Sequence, residues 1–135
     1  RSSDLERVAK YLSEGLMRHE AIVIAARLQH WEAIQDHLIK LGHPVENLFA
    51  KKQIVFIDAN AILKQILIGS CISYEGFNKT IRFEIEKVGK GFFNVRIYGE
   101  IVDILMDQHN FEAAKDLEKL WHSLRKENKF HLRVN

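Results

Sequence analysis

The chain has 135 residues, of which 47% are hydrophobic and 28% charged, the composition of an ordinary globular domain. Its formal net charge is +2, and basic and acidic residues alternate, so the basic stripe typical of nucleic-acid-binding domains is absent. No apolar run approaches the roughly 20 residues of a membrane span, and the single cysteine, Cys71, excludes an internal disulfide. We therefore expect one cytoplasmic domain without direct contact to nucleic acid or membrane.

The first part of the chain predicts two helices separated by a buried strand. Apolar residues recur at helical spacing in the first helix, at Leu5, Val8, Ala9, Leu12 and Leu16. The run Ala21–Ala26 is apolar on both sides of the strand alternation, which is typical of a parallel strand covered by helices on both faces. A second helical stripe follows at Trp31, Ile34, Leu38 and Leu41, and Gly42 and Pro44 predict its end.

The middle of the chain predicts a second strand and two more helices. Residues 45–52 form a short helix or a loop, and residues 53–57 form an apolar strand that ends at Asp58. Asp58 or Asn60 can cap the next helix, whose stripe is Ile62, Leu63, Ile66 and Leu67. Gly69-Ser70 marks a break, and a helix from about residue 74 carries Phe77, Ile81, Ile85 and Val88.

The last third of the chain predicts two strands and two helices. Residues 92–98 form a strand, and a helix follows from about residue 100 to residue 108. Asn110 caps a final helix, and residues 130–134 form a fourth strand. Strands and helices alternate, and no hairpin signal such as Asn-Gly interrupts them. The expected fold class is therefore α/β, with three layers and a mainly parallel sheet of about four strands with helices on both faces.

Four polar residues follow predicted strands and define a candidate ligand site. Arg27 follows the first strand, Asp58 the second, and Tyr98 and Glu100 the third. Because parallel strands bring their carboxyl ends to one rim, these side chains can surround a small polar ligand. The alternative is local, with Asp58 as a helix cap, Glu100 as a first-turn carboxylate favoured by the helix dipole, and Arg27 as a solvated side chain.

Arg96, inside the third strand, is the fifth candidate ligand-binding residue. An unpaired buried Arg costs several kcal/mol, so a buried Arg96 needs an acidic partner. Glu100 or Asp58 can serve as that partner. A solvated position at the edge of the sheet is equally compatible with the sequence.

No motif for catalysis, a metal or a cofactor accompanies these residues. The seven histidines include no His-x-x-x-His spacing, and one cysteine cannot build a structural zinc site. No Gly-x-x-x-x-Gly-Lys-[Ser/Thr] loop follows a strand, and no serine lies in a Gly-x-Ser-x-Gly motif. We therefore expect a binding domain without catalytic residues, metal ligands or a cofactor.

Several of these segments, taken in order, resemble the MEDS domain, the methanogen/methylotroph sensory domain of prokaryotic signalling proteins. The resemblance begins with YLSEGL at residues 11–16 and continues through AIVIA at residues 21–25 and FIDA at residues 56–59. Its strongest parts are VRIYGEIV at residues 95–102 and, in the last helix, FEAA at residues 111–114 and LEKLW at residues 117–121. The order and spacing of these segments, over nearly the whole chain, carry the resemblance.

This resemblance implies a ligand-sensing domain that binds a small organic molecule, such as a hydrocarbon derivative, and supports Glu100 as a site residue. It implies an output partner such as a histidine kinase of a two-component system or a helix-turn-helix transcription regulator. The layout also resembles a reduced RecA/KaiC-type core. The family usually has an additional N-terminal strand, so we interpret residues 1–135 as a single-domain fragment that lacks it. His122 stands where the family usually has Asn.

Two functions of other classes stay open on the sequence. One is a degenerate RecA/KaiC-like nucleotide-binding domain, which would need a Gly-rich Lys-Ser/Thr loop in a preceding segment. The other is a ligand-free protein-interaction scaffold, with a possible homodimer formed through a helix face. The absence of any response to small molecules would favour the scaffold.

Overall fold

The computed structural model describes the backbone of residues 2–127 and 131–134 and the side chains of residues 4–127. Helices and strands alternate through most of this range, as the sequence predicts. In chain order the elements are α1 (Ser2–Met17), β1 (Ala21–Ala26), α2 (Leu28–Lys40), α3 (Val45–Ala50), β2 (Ile54–Asp58), α4 (Ala59–Ile66), β3 (Leu67–Ile68), β4 (Cys71–Ile72), α5 (Tyr74–Phe77), a π-helical turn (Asn78–Arg82), α6 (Phe83–Gly89), β5 (Asn94–Gly99), α7 (Ile101–Asp107), α8 (Phe111–Glu127) and β6 (His131–Val134).

Four of the strands form one parallel sheet in the order β2-β1-β5-β6. β1 is central, so that Ile24 pairs with Phe56 of β2 on one side and with Tyr98 of β5 on the other. Helices pack against both faces of this sheet. The predicted three-layer α/β fold with a parallel sheet of about four strands is therefore confirmed.

Two hydrophobic cores, one on each face of the sheet, explain why β1 is apolar throughout. Every residue of β1 is buried, because alternate side chains enter different cores. Ile22, Ile24 and Ala26 pack with α1, α2 and α3. The other face of the strand packs with α4 to α8 through Ala21, Val23 and Ala25.

The structure departs from the predicted elements in two places. A short antiparallel hairpin of β3 and β4 turns at Gly69, which has a left-handed backbone with φ of +65°. Two-residue strands have no periodicity that a sequence pattern could reveal, so the hairpin was not predicted. The helix predicted from about residue 74 is interrupted by the π-helical turn Asn78–Arg82. Within the described residues, no helix has the length and apolar character that a membrane crossing requires.

The connections around β1 and β5 leave a crevice at one rim of the sheet. After β1 the chain enters α2, which packs on one face through Trp31 and Ile34, whereas after β5 it enters α7, which packs on the other face through Ile101 and Ile104. Neighbouring parallel strands whose connections leave in opposite directions form a topological switch point, where open α/β sheets bind ligands. This point lies at the carboxyl ends of β1 and β5, next to Glu100.

Candidate functional site

Glu100 is the centre of a polar cluster at the switch point. Its backbone N–H donates to the carbonyl of Ala25 over 2.8 Å, which extends the pairing of β5 with β1 by one residue. The chain then begins α7 at Ile101. Glu100 is only 2% exposed, so its carboxylate has lost nearly all contact with bulk water and needs protein donors.

Four donors surround the Glu100 carboxylate. Oε1 accepts from the backbone N–H of Arg27 at 2.8 Å and from Nη1 of Arg27 at 3.3 Å. Oε2 lies 2.7 Å from Nδ1 of His30 and accepts from the Tyr98 hydroxyl at 2.7 Å. A carboxylate has about four lone-pair positions, so these contacts satisfy it. Glu100 therefore joins the start of α2 to the end of β5.

The cluster shifts the pKa values of two of its members in opposite directions. Burial disfavours the Glu100 anion, but the hydrogen bonds from Arg27, Tyr98 and His30 outweigh burial, and the pKa of Glu100 is lowered. Burial, with the nearby Glu100 carboxylate, raises the pKa of Tyr98. At neutral pH the cluster therefore holds an anionic Glu100 and a protonated Tyr98.

Arg27 extends the cluster towards solvent. It is the N-cap residue of α2, with an extended backbone at φ of −63° and ψ of 141°. Its Nη2 lies 3.2 Å from Oδ2 of Asp107, whose side chain is 74% exposed. This outer ion pair is worth little in energy because solvent screens it. Its effect is to hold the guanidinium of Arg27 between the start of α2 and the end of α7.

A cavity of about 470 Å³ opens beside the cluster, and we refer to it as the rim cavity. Its volume is within the range of pockets for small ligands. Tyr98 belongs both to the cluster and to the cavity wall, and is therefore the link between them. Among the described residues, the cavity is lined by Tyr98, Gly99, Ile101, Val102, Asp103, Glu118, Trp121 and Arg125.

Arg96 does not lie in this cluster. It is 1% exposed, which excludes the solvated edge position, and its acidic partners are neither Glu100 nor Asp58. Nε of Arg96 donates to Oε1 of Glu20 at 2.8 Å, and Nη1 donates to Oε1 of Glu14 at 3.2 Å. The predicted partners were wrong because residues 14 and 20, on and after α1, are brought beneath β5 by tertiary packing alone.

Asp58 lies at the same rim as Glu100, but its side chain has a local role. Asp58, at the end of β2, is paired with Ala26 of β1, and the N–H of Glu100, just after β5, donates to the carbonyl of Ala25 of β1. Asp58 and Glu100 therefore both lie at the carboxyl edge of the sheet. Oδ1 of Asp58 accepts from the backbone N–H groups of Asn60 and Ala61 at 3.1 and 3.2 Å, as an N-cap of α4. The alternative interpretation of Asp58 as a helix cap therefore describes these contacts.

Of the five candidate ligand-binding residues, the structure brings together Arg27, Tyr98 and Glu100. It adds His30, which the sequence analysis did not single out. The available signal was its position three residues after Arg27, one turn into the helix that starts at the rim. Within residues 2–127 and 131–134, no group of three or more His, Cys, Asp and Glu side chains is placed to hold a metal ion.

Comparison with known proteins identifies one family. The family described as MEDS, the methanogen/methylotroph, DcmR sensory domain, matches residues 2–132. The matched range includes the Glu100 cluster and the described residues that line the rim cavity. No curated protein and no solved structure matches the chain.

Proposed function

The chain belongs to the MEDS family, and we propose that it is the ligand-sensing domain of a prokaryotic signal-transduction or transcription-regulatory protein. In this proposal the domain is a binding module rather than an enzyme. A small organic molecule occupies the rim cavity, and its presence is transmitted to an output domain, such as a histidine kinase or a helix-turn-helix module.

The observation that carries this proposal is the double role of Tyr98. Tyr98 lines the rim cavity, and its hydroxyl donates to Glu100. Because Glu100 is already satisfied by four donors, it is suited to hold Tyr98 and Arg27 in place rather than to contact the ligand. A ligand that moves Tyr98 would change the hydrogen bonds through which Glu100 holds the start of α2.

This geometry also offers a path for the signal. His30 and the backbone of Arg27 belong to the start of α2, and α2 packs against α1. A change at the cavity can therefore reach the α1–α2 layer through hydrogen bonds to one carboxylate. We propose that this layer carries the response to the output domain.

A screen of small organic molecules by thermal shift tests the proposal. A ligand present at ten times its Kd adds about 1.4 kcal/mol of stability, which for a domain of this size raises Tm by roughly 5 °C. Compounds that raise Tm are then measured by calorimetry against Val102→Trp, which fills the rim cavity from its wall.

Ile39→Trp, at a position on α2 that is 53% exposed, is the matched control for this variant. We expect Val102→Trp to abolish binding and Ile39→Trp to preserve it. Equal binding by both variants, or a screen without any stabilising compound, would contradict the proposed function.

A further inference from the structure

We propose that the ligand of the rim cavity is a small organic ammonium compound with a short hydrocarbon part. This inference rests on the proposed function and narrows its ligand class. It follows from the hydrogen-bonding roles and the charges that the cavity wall leaves available.

Tyr98 can act towards a ligand only as an acceptor. Its single hydroxyl proton is donated to Oε2 of Glu100 at 2.7 Å, and the raised pKa of Tyr98 means that this proton is retained. The lone pairs of the hydroxyl oxygen are what remains for a ligand. A neutral carbonyl or a carboxylate would find no donor at this position, whereas an ammonium N–H would find an acceptor.

The charges of the wall favour the same ligand. Asp103 of α7 and Glu118 of α8 line the cavity, and neither forms an ion pair within the described residues. The carboxylate of Asp103 is close enough to Tyr98 to raise its pKa further. These three residues give the cavity two anions and one neutral acceptor.

Arg125 is the single cation among the described residues that line the cavity. It follows Glu118 by seven residues on α8, which places it two turns away, about 10 Å along the helix axis. The described residues of the lining therefore carry one more negative than positive charge, and Glu118 lies two turns from Arg125. A cationic head is expected near Asp103 and Glu118, where the Coulomb energy is most favourable.

The hydrocarbon part has an apolar surface to pack on. Ile101 and Trp121 belong to the hydrophobic core and also line the cavity, and Val102 packs against the same core. Cζ2 of Trp121 lies 4.0 Å from the place that a Cβ on Gly99 would take, so the indole of Trp121 lies close to the backbone of β5. A short alkyl or aryl group would pack on these apolar side chains.

Pairs of probes that share a hydrocarbon part and differ in the head group test the ammonium assignment. Ethylammonium, butylammonium and benzylammonium are titrated alongside ethanol, butanol and benzyl alcohol, and binding is followed by NMR at the amide of Gly99 and the indole N–H of Trp121. Charge-assisted hydrogen bonds are stronger than neutral ones, so we expect each ammonium to bind at least about tenfold more tightly than its alcohol.

Variants of the wall sharpen this test. Asp103→Asn and Glu118→Gln should each weaken butylammonium binding about two- to fivefold, while Glu112→Gln, at an exposed position of α8 outside the lining, should leave it unchanged. Arg125→Gln should strengthen butylammonium binding a few-fold, because it removes a repulsive charge. A ligand with a carboxylate head would respond to Arg125→Gln in the opposite direction.

The outcomes separate this inference from the proposed function. Equal affinities for ammonium and alcohol, no shift with any probe, or equal losses in Glu112→Gln and Glu118→Gln would overturn the ammonium assignment. The proposed function would then still stand on the thermal-shift screen. A screen without any ligand would instead remove the proposed function itself.

Discussion

In the described part of the chain, two buried carboxylates form clusters with side chains of β5, and a comparison between these clusters distinguishes a structural role from a functional one. Glu20 is 6% exposed and pairs with Arg96, whereas Glu100 is 2% exposed and gathers Arg27, His30 and Tyr98. Both clusters combine carboxylate and guanidinium groups. Burial and charge alone therefore do not identify the ligand site.

The Arg96 cluster is closed by tight packing. Nη1 of Arg96 also donates to the carbonyl of Tyr11 at 2.8 Å, and the guanidinium lies 4.9 Å from the centre of the Tyr11 ring. A Cβ on Gly15 would come within 2.9 Å of Cδ of Arg96, so only glycine fits there without a shift. These contacts fix α1 against β5.

The Glu100 cluster differs because one of its members faces a cavity. Tyr98 borders the rim cavity and Arg27 reaches the exposed Asp107, so the cluster is buried at its centre and accessible at two sides. It also lies at the switch point of the sheet, where ligands bind in this class of fold. The comparison predicts that mutations in the Arg96 cluster affect stability and that mutations in the Glu100 cluster affect binding as well.

The largest effect is expected from Arg96→Met. Removal of the guanidinium leaves the buried Glu20 without its partner, and breaking a buried ion pair from one side costs about 3–5 kcal/mol. Urea unfolding of the variant measures this loss. The double variant Arg96→Met with Glu20→Gln should recover part of it, because no unpaired charge then remains. No loss in the single variant would show that Arg96 does not support the fold.

A smaller effect on stability and a distinct effect on binding are expected from Glu100→Gln. The Gln amide places an NH₂ where a carboxylate oxygen accepted hydrogen bonds, so one pair of donors is left without an acceptor, at a cost of about 1–3 kcal/mol. Displacement of Tyr98 should weaken ligands from the screen about tenfold. Urea unfolding and calorimetry measure the two effects separately.

Glu20→Gln is the matched control, since it makes the same chemical change in the other cluster. It should lower stability while ligand affinity stays within about twofold, because the Glu20 side chain does not line the rim cavity. Equal losses of affinity in the two variants would show that the Arg96 and Glu100 clusters do not differ in their effect on ligand binding.

The fold could be predicted from local sequence patterns to a large extent. The apolar run of β1 predicted a strand buried on both faces, and that strand spans the predicted residues Ala21–Ala26. Asn110 caps α8 as predicted, by accepting from the N–H of Ala113 at 3.2 Å, and of the two predicted candidates, Asp58 and Asn60, it is Asp58 that caps α4. These features depend on residues close together in sequence, which is why periodicity and capping rules reveal them.

The contacts that make the site depend on residues far apart in sequence. Glu100 is separated by 73 residues from Arg27 and by 70 from His30, and Arg96 by 76 from Glu20. Parallel strands have their carboxyl ends at one rim, and this rule, which depends only on strand order, predicted that Arg27 and Glu100 lie at the same rim. It could not show which carboxylate Arg96 reaches, because this depends on how α1 packs against β5.

The smallest effect is expected in the pH dependence of the free energy of unfolding, from which the contribution of Glu100 can be isolated. Its pKa in the folded state is lowered from 4.5, so the unfolded chain takes up the proton first as pH falls. The stability from Glu100 is therefore complete above about pH 4.5 and is lost as pH falls through the folded-state pKa. Glu100→Gln cannot titrate, so the gap in unfolding free energy between wild type and variant should narrow from pH 7 to pH 3. A constant gap would mean that the four donors do not stabilise the charged form of Glu100.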